Sequence, residues 1–297
     1  MSNTIGFVGL GAMGSAMARR LVEAQHRVVG YDMRPEAVAR HVAAGGHGAA
    51  SAAEAARSAD MLVLMVVNAD QAEAVLFGAG ALEALAPAAS VVLMATCAPA
   101  RVAEIAKRVE ATGRAFVDAP VSGGVVGAEA GTLTIMVAAR TAVFEAARPV
   151  LTVMGSNLYH LGEEAGQGAS MKVVNQLLCG AHIAVAAEGL AFAERAGIDP
   201  RLALEILSGS AASSWMLKNR GPRMVADSDV VTSAVDIFVK DLSLVLDAGR
   251  SAKVGLPLAA LAHQLFLAAS GMGLGAKDDS QVIATYRALS PPGKTGG

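Results

Sequence analysis

The chain has 297 residues, 54% of them hydrophobic and only 17% charged, with 32 glycines and a formal net charge of −2. That length suits two domains and a large buried core. The near-neutral charge excludes the basic surface that nucleic acid or an anionic membrane would require.

Thr4 to Val8 is a short apolar and β-branched run, the pattern of a buried strand. It leads directly into Gly9-Leu10-Gly11-Ala12-Met13-Gly14, and Ser15 to Gln25 follows with helical spacing. A second strand, Arg27 to Tyr31, ends in Asp32. Strand, GxGxxG, helix, strand and acid within one βαβ length are the parts of a dinucleotide site. Gly9 makes the tight turn, Gly11 lets backbone N–H groups approach a pyrophosphate, and Gly14 lets helix and strand pack closely. The helix N-terminus offers a positive dipole end to the phosphates. Asp32 can accept ribose hydroxyls and would repel a 2′-phosphate, which favours NAD over NADP, although Arg34 lies close enough to offset part of that charge.

Met61 to Val67 is an unbroken apolar run, as expected of a central parallel strand buried on both faces. Asn68 to Gln71 open another helix. Val91 to Ala95 is a strand ending at Thr96, Pro99 to Ala111 a helix and Ala115 to Val117 a strand. Gln71 and Thr96 thus fall at carboxyl ends of strands, where ligands sit in open α/β sheets, although an N-cap or turn role is the commoner one for such residues. In Asp118-Ala119-Pro120-Val121-Ser122-Gly123-Gly124 a strand end meets a turn with one hydroxyl and successive free N–H groups. Such a turn is either an ordinary glycine turn or a nest for a carboxylate. Leu133 to Ala138 and Asn157 to Leu161 read as strands around a helix at Ala142 to Met154.

Gly166 to Ala196 contains no proline and stops at Gly197, with Pro200 beyond, so it reads as one long helix. At about 1.5 Å per residue it spans more than 40 Å. Lys172, Asn175 and Gln176 sit at i, i+3 and i+4 near its start and share one face. Its most apolar window, Val173 to Ala193, carries Asn175, Gln176, His182 and Glu188, which argues for burial in protein rather than in a bilayer. After Gly197 the pattern is helical throughout: Pro200 to Leu207, Trp215 to Val225, Ile237 to Ala248, Pro257 to Gly271 and Asp279 to Leu289. The tail Pro291 to Gly297 is rich in Pro and Gly and reads as frayed. The expected fold is therefore α/β, with an N-terminal Rossmann dinucleotide-binding domain (1–163) and an all-α domain (164–297), joined by the long helix at 166–196. The apolar excess of the second half points to a homodimer or homotetramer contact.

Cys97 and Cys179 lie in apolar surroundings, and neither they nor the histidines show metal-ligand spacing, so the expectation is a reduced cytoplasmic protein without a metal. The start lacks a basic segment followed by an apolar one, so no signal peptide is expected.

Four stretches in order, GFVGLGAMGSAMARRL at 6–21, DAPVSGG at 118–124, GQGASMKVVNQ at 166–176 and FVKDL at 238–242, resemble the β-hydroxyacid dehydrogenase family, nearly end to end. The resemblance implies that Lys172 is the catalytic acid/base, with Asn175 beside it. It implies that Ser122, Gly123 and Gly124 cradle a substrate carboxylate, that Thr96 and Lys240 belong to the cofactor site, Lys240 also meeting substrate, and that Val66, Val67 and Gln71 line the nicotinamide half. Within the family, VVNADQAEAVLFG at 66–78, SSWMLKNR at 213–220, SAVDIFVKDL at 233–242 and KDDSQVI at 277–283 are similar to a branch that oxidises the four-carbon sugar acid L-threonate at C2. That branch carries His where this chain has Asn175, the wider family's residue.

The chemistry agrees with the resemblance. Oxidising a hydroxy acid needs a base at the hydroxyl while hydride leaves carbon for NAD. A lysine serves as that base where burial and a neighbouring cation favour its neutral amine. The expected partners are NAD and a small hydroxy acid. An NADPH-dependent semialdehyde reductase is the rival enzyme, and a non-catalytic nucleotide-binding module the rival of another class.

Overall fold

The computed structural model describes residues 3–226, 228 and 230–289. Tail residues 290–297, including the stretch read as frayed, lie outside the described residues. The chain divides into two compact units, Met1–Lys172 and Val173–Gly297.

The first unit is built on a nine-stranded sheet. Its strands are β1 (Thr4–Val8), β2 (Arg27–Tyr31), β3 (His47–Gly48), β4 (Met61–Leu64), β5 (Ser90–Leu93), β6 (Ala115–Asp118), β7 (Val121–Ser122), β8 (Thr134–Ala138) and β9 (Asn157–Gly162). The order is β3-β2-β1-β4-β5-β6-β8-β7, with β9 paired to β8. From β3 to β6 all pairings are parallel; β8 runs antiparallel to β6 and β7. The helices of this unit are α1 (Ala12–Glu23), α2 (Pro35–Ala43), α3 (Ala52–Ala56), α4 (Ala69–Glu73), α5 (Ala81–Ala84), α6 (Pro99–Glu110), α7 (Gly124–Ala130) and α8 (Thr141–Met154).

The central strands are buried on both faces, which explains why β4 is apolar throughout. Met61 and Val63 join the cluster formed with Met17, Leu21, Phe144 and Leu151. Leu62 and Leu64 join the opposite cluster, with Leu82, Val102 and Ile105. Successive side chains of a strand point to opposite faces, so a strand covered on both sides shows no alternation.

The Rossmann arrangement expected from the sequence is present, with differences at the edges. Met61 to Val67 shortens to β4 because the chain turns out after Leu64. Sequence patterning passes over β3, α2, α3, α5 and α7. Most of these are too short for a helical period to register, and α3 and α5 are largely alanine. Pro35 occupies the first turn of α2, where its missing N–H costs nothing.

The second unit is helical: α9 (Gln167–Arg195), which starts in the first unit, then α10 (Pro200–Gly209), α11 (Trp215–Ala226), α12 (Val235–Ser251), α13 (Pro257–Ala269) and α14 (Ile283–Leu289). Its core gathers Ile183, Leu190, Leu217, Phe238, Leu242 and Phe266. The run read as one helix to Gly271 leaves regular α-geometry after Ala269, in a wider turn at Ser270–Leu274 where Gly273 takes φ +84°. The next starts as a 3₁₀ turn, Asp279–Val282, before α14. Among the described residues two helical stretches, Gln167–Arg195 and Pro257–Leu274, are long and apolar enough to cross a membrane; half of the first one's apolar window is buried within the protein itself.

Candidate active site

The parallel register sets one edge of the sheet. Val8 pairs with Tyr31 on one side and Leu64 on the other, Leu64 pairs with Leu93, and Leu93 with Asp118. Tyr31, Val8, Leu64, Leu93 and Asp118 therefore form one row across the carboxyl ends of five strands. Every site residue expected in the first unit before the long helix follows that row: Gly9 to Gly14, Asp32, Val66, Val67, Gln71, Thr96 and Ser122 to Gly124. Ligands of doubly wound sheets bind along this edge.

The glycine loop fits a dinucleotide. Gly9 has φ +98°, and a Cβ there would lie 2.3 Å from the Met65 carbonyl oxygen. A Cβ on Gly14 would lie 1.8 Å from the Gly9 oxygen, so both positions are closed to side chains. Gly11 is different: a Cβ there would meet only a guanidinium nitrogen of Arg34, at 3.8 Å, so the backbone stays approachable. Gly11 starts α1 with no side-chain cap, leaving N–H groups of the first turn for a phosphate.

Asp32 sits beside this loop. Its Oδ2 accepts the Leu10 N–H at 2.8 Å. Its Oδ1 accepts the Arg34 N–H at 2.9 Å and the Arg34 Nε–H at 3.1 Å. Burial pushes the carboxyl up, but the Arg34 guanidinium and these N–H groups outweigh it and hold the carboxyl below its ordinary value. The offset between Arg34 and Asp32 that the sequence suggests is thus a formed ion pair.

Gln71 has a local task. Asn68 caps α4 by accepting the Gln71 N–H at 2.9 Å, and the Gln71 side chain accepts the Val67 N–H at 2.9 Å. This reciprocal pattern is a capping-box variant, and it fixes Val66 and Val67 at the end of β4. Thr96 is half-buried two residues before Ala98, the N-cap of α6.

Ser122 ends β7, paired with Thr134. Gly123 (φ +131°) and Gly124 (φ +62°) then turn the chain into α7. A Cβ on Gly123 would also meet the Leu133 side chain at 3.1 Å.

Lys172 is the sixth residue of α9 and is buried, at 7% exposure. The start of that helix is held from a distance. The Asp118 carboxylate, at the end of β6, accepts the N–H of Gly166 at 2.8 Å and of Ala169 at 3.0 Å. Burial pushes this carboxyl up to about 6, against the downward pull of the Ala169, Gly166 and Gly168 N–H groups.

In the second unit Asn175, Gln176, Asp241 and Lys240 form one chain of polar contacts. The Asn175 amide donates to Gln176 Oε1 at 2.9 Å and to Cys179 Sγ at 3.3 Å. Gln176 Nε2 donates to Asp241 Oδ2 at 2.5 Å. Lys240 Nζ lies 2.7 Å from Asp241 Oδ1. Cys179 is half-buried and packs against the core of the second unit while meeting the Asn175 amide, whereas Cys97 is buried. The stretches 213–220 and 277–283 also meet, through a buried Arg220–Asp279 ion pair at 2.8 Å.

Sequence reasoning did not single out Asp118 or Asp241. Both lie inside the quoted stretches 118–124 and 238–242, and an acid in an otherwise apolar run was the available signal.

A two-faced parallel sheet with a glycine-rich first turn, followed by an all-α region, defines an NAD(P)-dependent oxidoreductase. Family models extend this along the chain: residues 4–162 match the NAD binding domain of 6-phosphogluconate dehydrogenase, and residues 166–286 match the NAD-binding domain of NADP-dependent 3-hydroxyisobutyrate dehydrogenase. The chain belongs to this hydroxyacid dehydrogenase family. It is 43% identical over 295 residues to the L-threonate dehydrogenase of Cupriavidus necator, covering 99% of each chain. It is 38% identical to the 2-(hydroxymethyl)glutarate dehydrogenase of Eubacterium barkeri, over 99% of this chain and 98% of that one. A crystal structure of 3-hydroxyisobutyrate dehydrogenase from Salmonella typhimurium superposes with a TM-score of 0.91 at 41% identity, over 95% of this chain and 99% of the other.

Proposed function

We propose that the protein oxidises a four-carbon sugar acid of the L-threonate type at its 2-hydroxyl, with NAD as hydride acceptor. The observation that carries this reading is the end-to-end 43% identity to an L-threonate dehydrogenase. The family expectation for the individual residues supplies the roles.

Gly9 to Gly14 would hold the pyrophosphate, Asp32 the adenosine ribose, and Val66, Val67, Gln71 and Thr96 the nicotinamide half. NAD, when bound, supplies the electrophilic carbon that takes the hydride. The remaining chemistry belongs to this chain. Ser122 Oγ and the N–H groups at Gly123 and Gly124 hold the substrate carboxylate. Lys172 Nζ, as the neutral amine, takes the 2-hydroxyl proton as the C2–H bond breaks. Asn175 orients the hydroxyl through its amide without a charge of its own. Lys240, held by Asp241, brings a cation to the cofactor and substrate. Residues 1–163 would be the nucleotide-binding domain and 164–297 the substrate and assembly domain of a cytoplasmic homodimer or homotetramer.

The Arg34 guanidinium on Asp32 favours a second reading, NADP-linked turnover of a 3-hydroxyisobutyrate-type substrate or semialdehyde, because a guanidinium can receive a 2′-phosphate. A screen of four-carbon sugar acids and 3-hydroxyisobutyrate with NAD and with NADP, followed at 340 nm, separates the two. Turnover of L-threonate with NAD supports the first reading; turnover confined to NADP or to 3-hydroxyisobutyrate replaces it.

A further inference from the structure

We infer that Asp118 is a positioning residue: its side chain fixes the first turn of α9, and Lys172 with it, to the strand that leads into Ser122, Gly123 and Gly124. The inference rests on the reading of Lys172 as the base.

The first N–H groups of a helix have no partner within it, and a residue just before the helix usually supplies one. Here the acceptor comes from β6, 48 residues before Gly166 and 51 before Ala169. A local cap travels with its helix; a cap fixed in a sheet does not. The carboxylate is 1% exposed, so water does not compete for it. The backbone is equally close. A Cβ on Gly168 would lie 2.6 Å from the Met136 oxygen, 2.9 Å from the Asp118 oxygen and 3.0 Å from the Asp118 carboxyl carbon. Gly166 takes φ +101°, where a side chain would strain the turn. Helix start and strand ends are therefore in direct contact, with little freedom to slide.

The consequence runs in two directions from Asp118. Four residues on, the chain reaches Ser122 and the carboxylate cradle. Across the two hydrogen bonds lies Ala169, and Lys172 is three residues further, on the same side of the helix. Cradle and amine thus share one anchor, though they are 50 residues apart in sequence. Proton transfer and orientation are sensitive to shifts on the order of 1 Å, which can cost about 10²-fold in rate.

The test uses the full chain carrying Asp118→Ala or Asp118→Asn. Amide hydrogen exchange, read by mass spectrometry on peptides spanning 166–172, should be faster in Asp118→Ala while peptides from β1 and α1 keep wild-type rates. In the same protein kcat for the hydroxy acid should fall about 10- to 100-fold, with NAD affinity by fluorescence titration unchanged. Asp118→Asn keeps an oxygen in place and should restore most of both properties; should the Ala variant not fold, Asp118→Ser, whose shorter side chain withdraws its oxygen from the helix start, carries the same comparison. Wild-type protection of 166–172 in Asp118→Ala, or equal losses of kcat and NAD affinity, would overturn the positioning role alone. A Lys172→Ala protein with undiminished turnover would overturn the base reading and the positioning role together.

Discussion

The Arg34 guanidinium closes on the Asp32 carboxylate, with Nε 3.1 Å from Oδ1 and an Nη nitrogen 3.4 Å from Oδ2. The acid proposed to hold the adenosine ribose therefore comes with a cation beside it. Arg34 is the more exposed partner, and it also faces Gly11. The pair can open, leaving Asp32 to the ribose and Arg34 to solvent or to a phosphate. On the proposed reading, the preference between NAD and NADP then depends on both residues.

Arg34→Ala should leave NAD affinity nearly unchanged and weaken NADP binding, on the order of tenfold or more, because a charge-assisted contact to a 2′-phosphate is lost. Asp32→Ala should act in the opposite sense, weakening NAD and narrowing its lead over NADP. Fluorescence titration with both nucleotides reads the four affinities. An Arg34→Ala protein with NADP affinity intact would remove Arg34 from the cofactor site.

Gly123 makes a second, separable prediction. Its φ of +131° strains any side chain, and a Cβ would press on the Leu133 side chain at 3.1 Å. Gly123→Val should raise KM for the hydroxy acid far more than KM for NAD, since the glycine loop lies on other strands. An equal rise in both, accompanied by a fall in Tm, would show a general loss of fold rather than loss of the cradle.

The parts of this architecture that were legible in the sequence are local. The β1 turn, α1, β2 and Asp32 announce themselves because the glycine spacing, the helix and the acid all fall within one βαβ length. The long helix announces itself through its lack of proline and its glycine stop. What was not legible depends on distant residues. Asp118 reads as the end of a strand until the N–H groups of Gly166 and Ala169 are placed upon it. Asp241 reads as the neighbour of Lys240 until Gln176, 65 residues earlier, donates to it. Gly124 reads as the end of a turn, whereas it starts α7, a helix of seven residues that shows no full apolar period.

One face of α9 carries an exposed apolar stripe: Met171, Val174, Leu178, Val185 and Phe192, the last 73% exposed. Their three-, four- and seven-residue spacing keeps them on one side of the helix. Contiguous apolar surface of this kind marks an interface, and the proposed homodimer or homotetramer would bury it. Light scattering at micromolar concentration should find an oligomer, and Val185→Lys with Phe192→Glu should reduce its mass to that of a smaller species. A wild-type monomer would contradict the assembly.

Asp118 should also leave a mark on stability against pH. Its folded value, about 6, lies above the ordinary 3.8. A carboxyl raised in the folded state contributes fully only below its unfolded value, and that contribution is lost as pH rises through the folded one. Between about pH 4 and 6 the wild type should therefore lose up to about 3 kcal/mol relative to a variant that stays neutral. Asp118→Asn should melt higher than wild type at pH 7.5, and the gap should close as pH approaches 4. Parallel Tm curves across that range would show that Asp118 is not buried in its charged form.

The decisive prediction concerns Lys172. It is the sixth residue of α9 and is buried. If it is the general base, Lys172→Ala should lower kcat by about 10²- to 10⁴-fold, the usual worth of a positioned proton acceptor. NAD affinity should hold, because the glycine loop and Asp32 belong to β1 and β2. Lys172→Arg should not rescue, since a guanidinium stays protonated and cannot accept the hydroxyl proton. Single-turnover kinetics with L-threonate separate the chemical step from product release, and the loss should lie in the chemical step. A Lys172→Ala protein that keeps near-wild-type turnover, or a Lys172→Arg protein that matches it, would return this lysine to a structural role and leave the proton acceptor to be sought elsewhere.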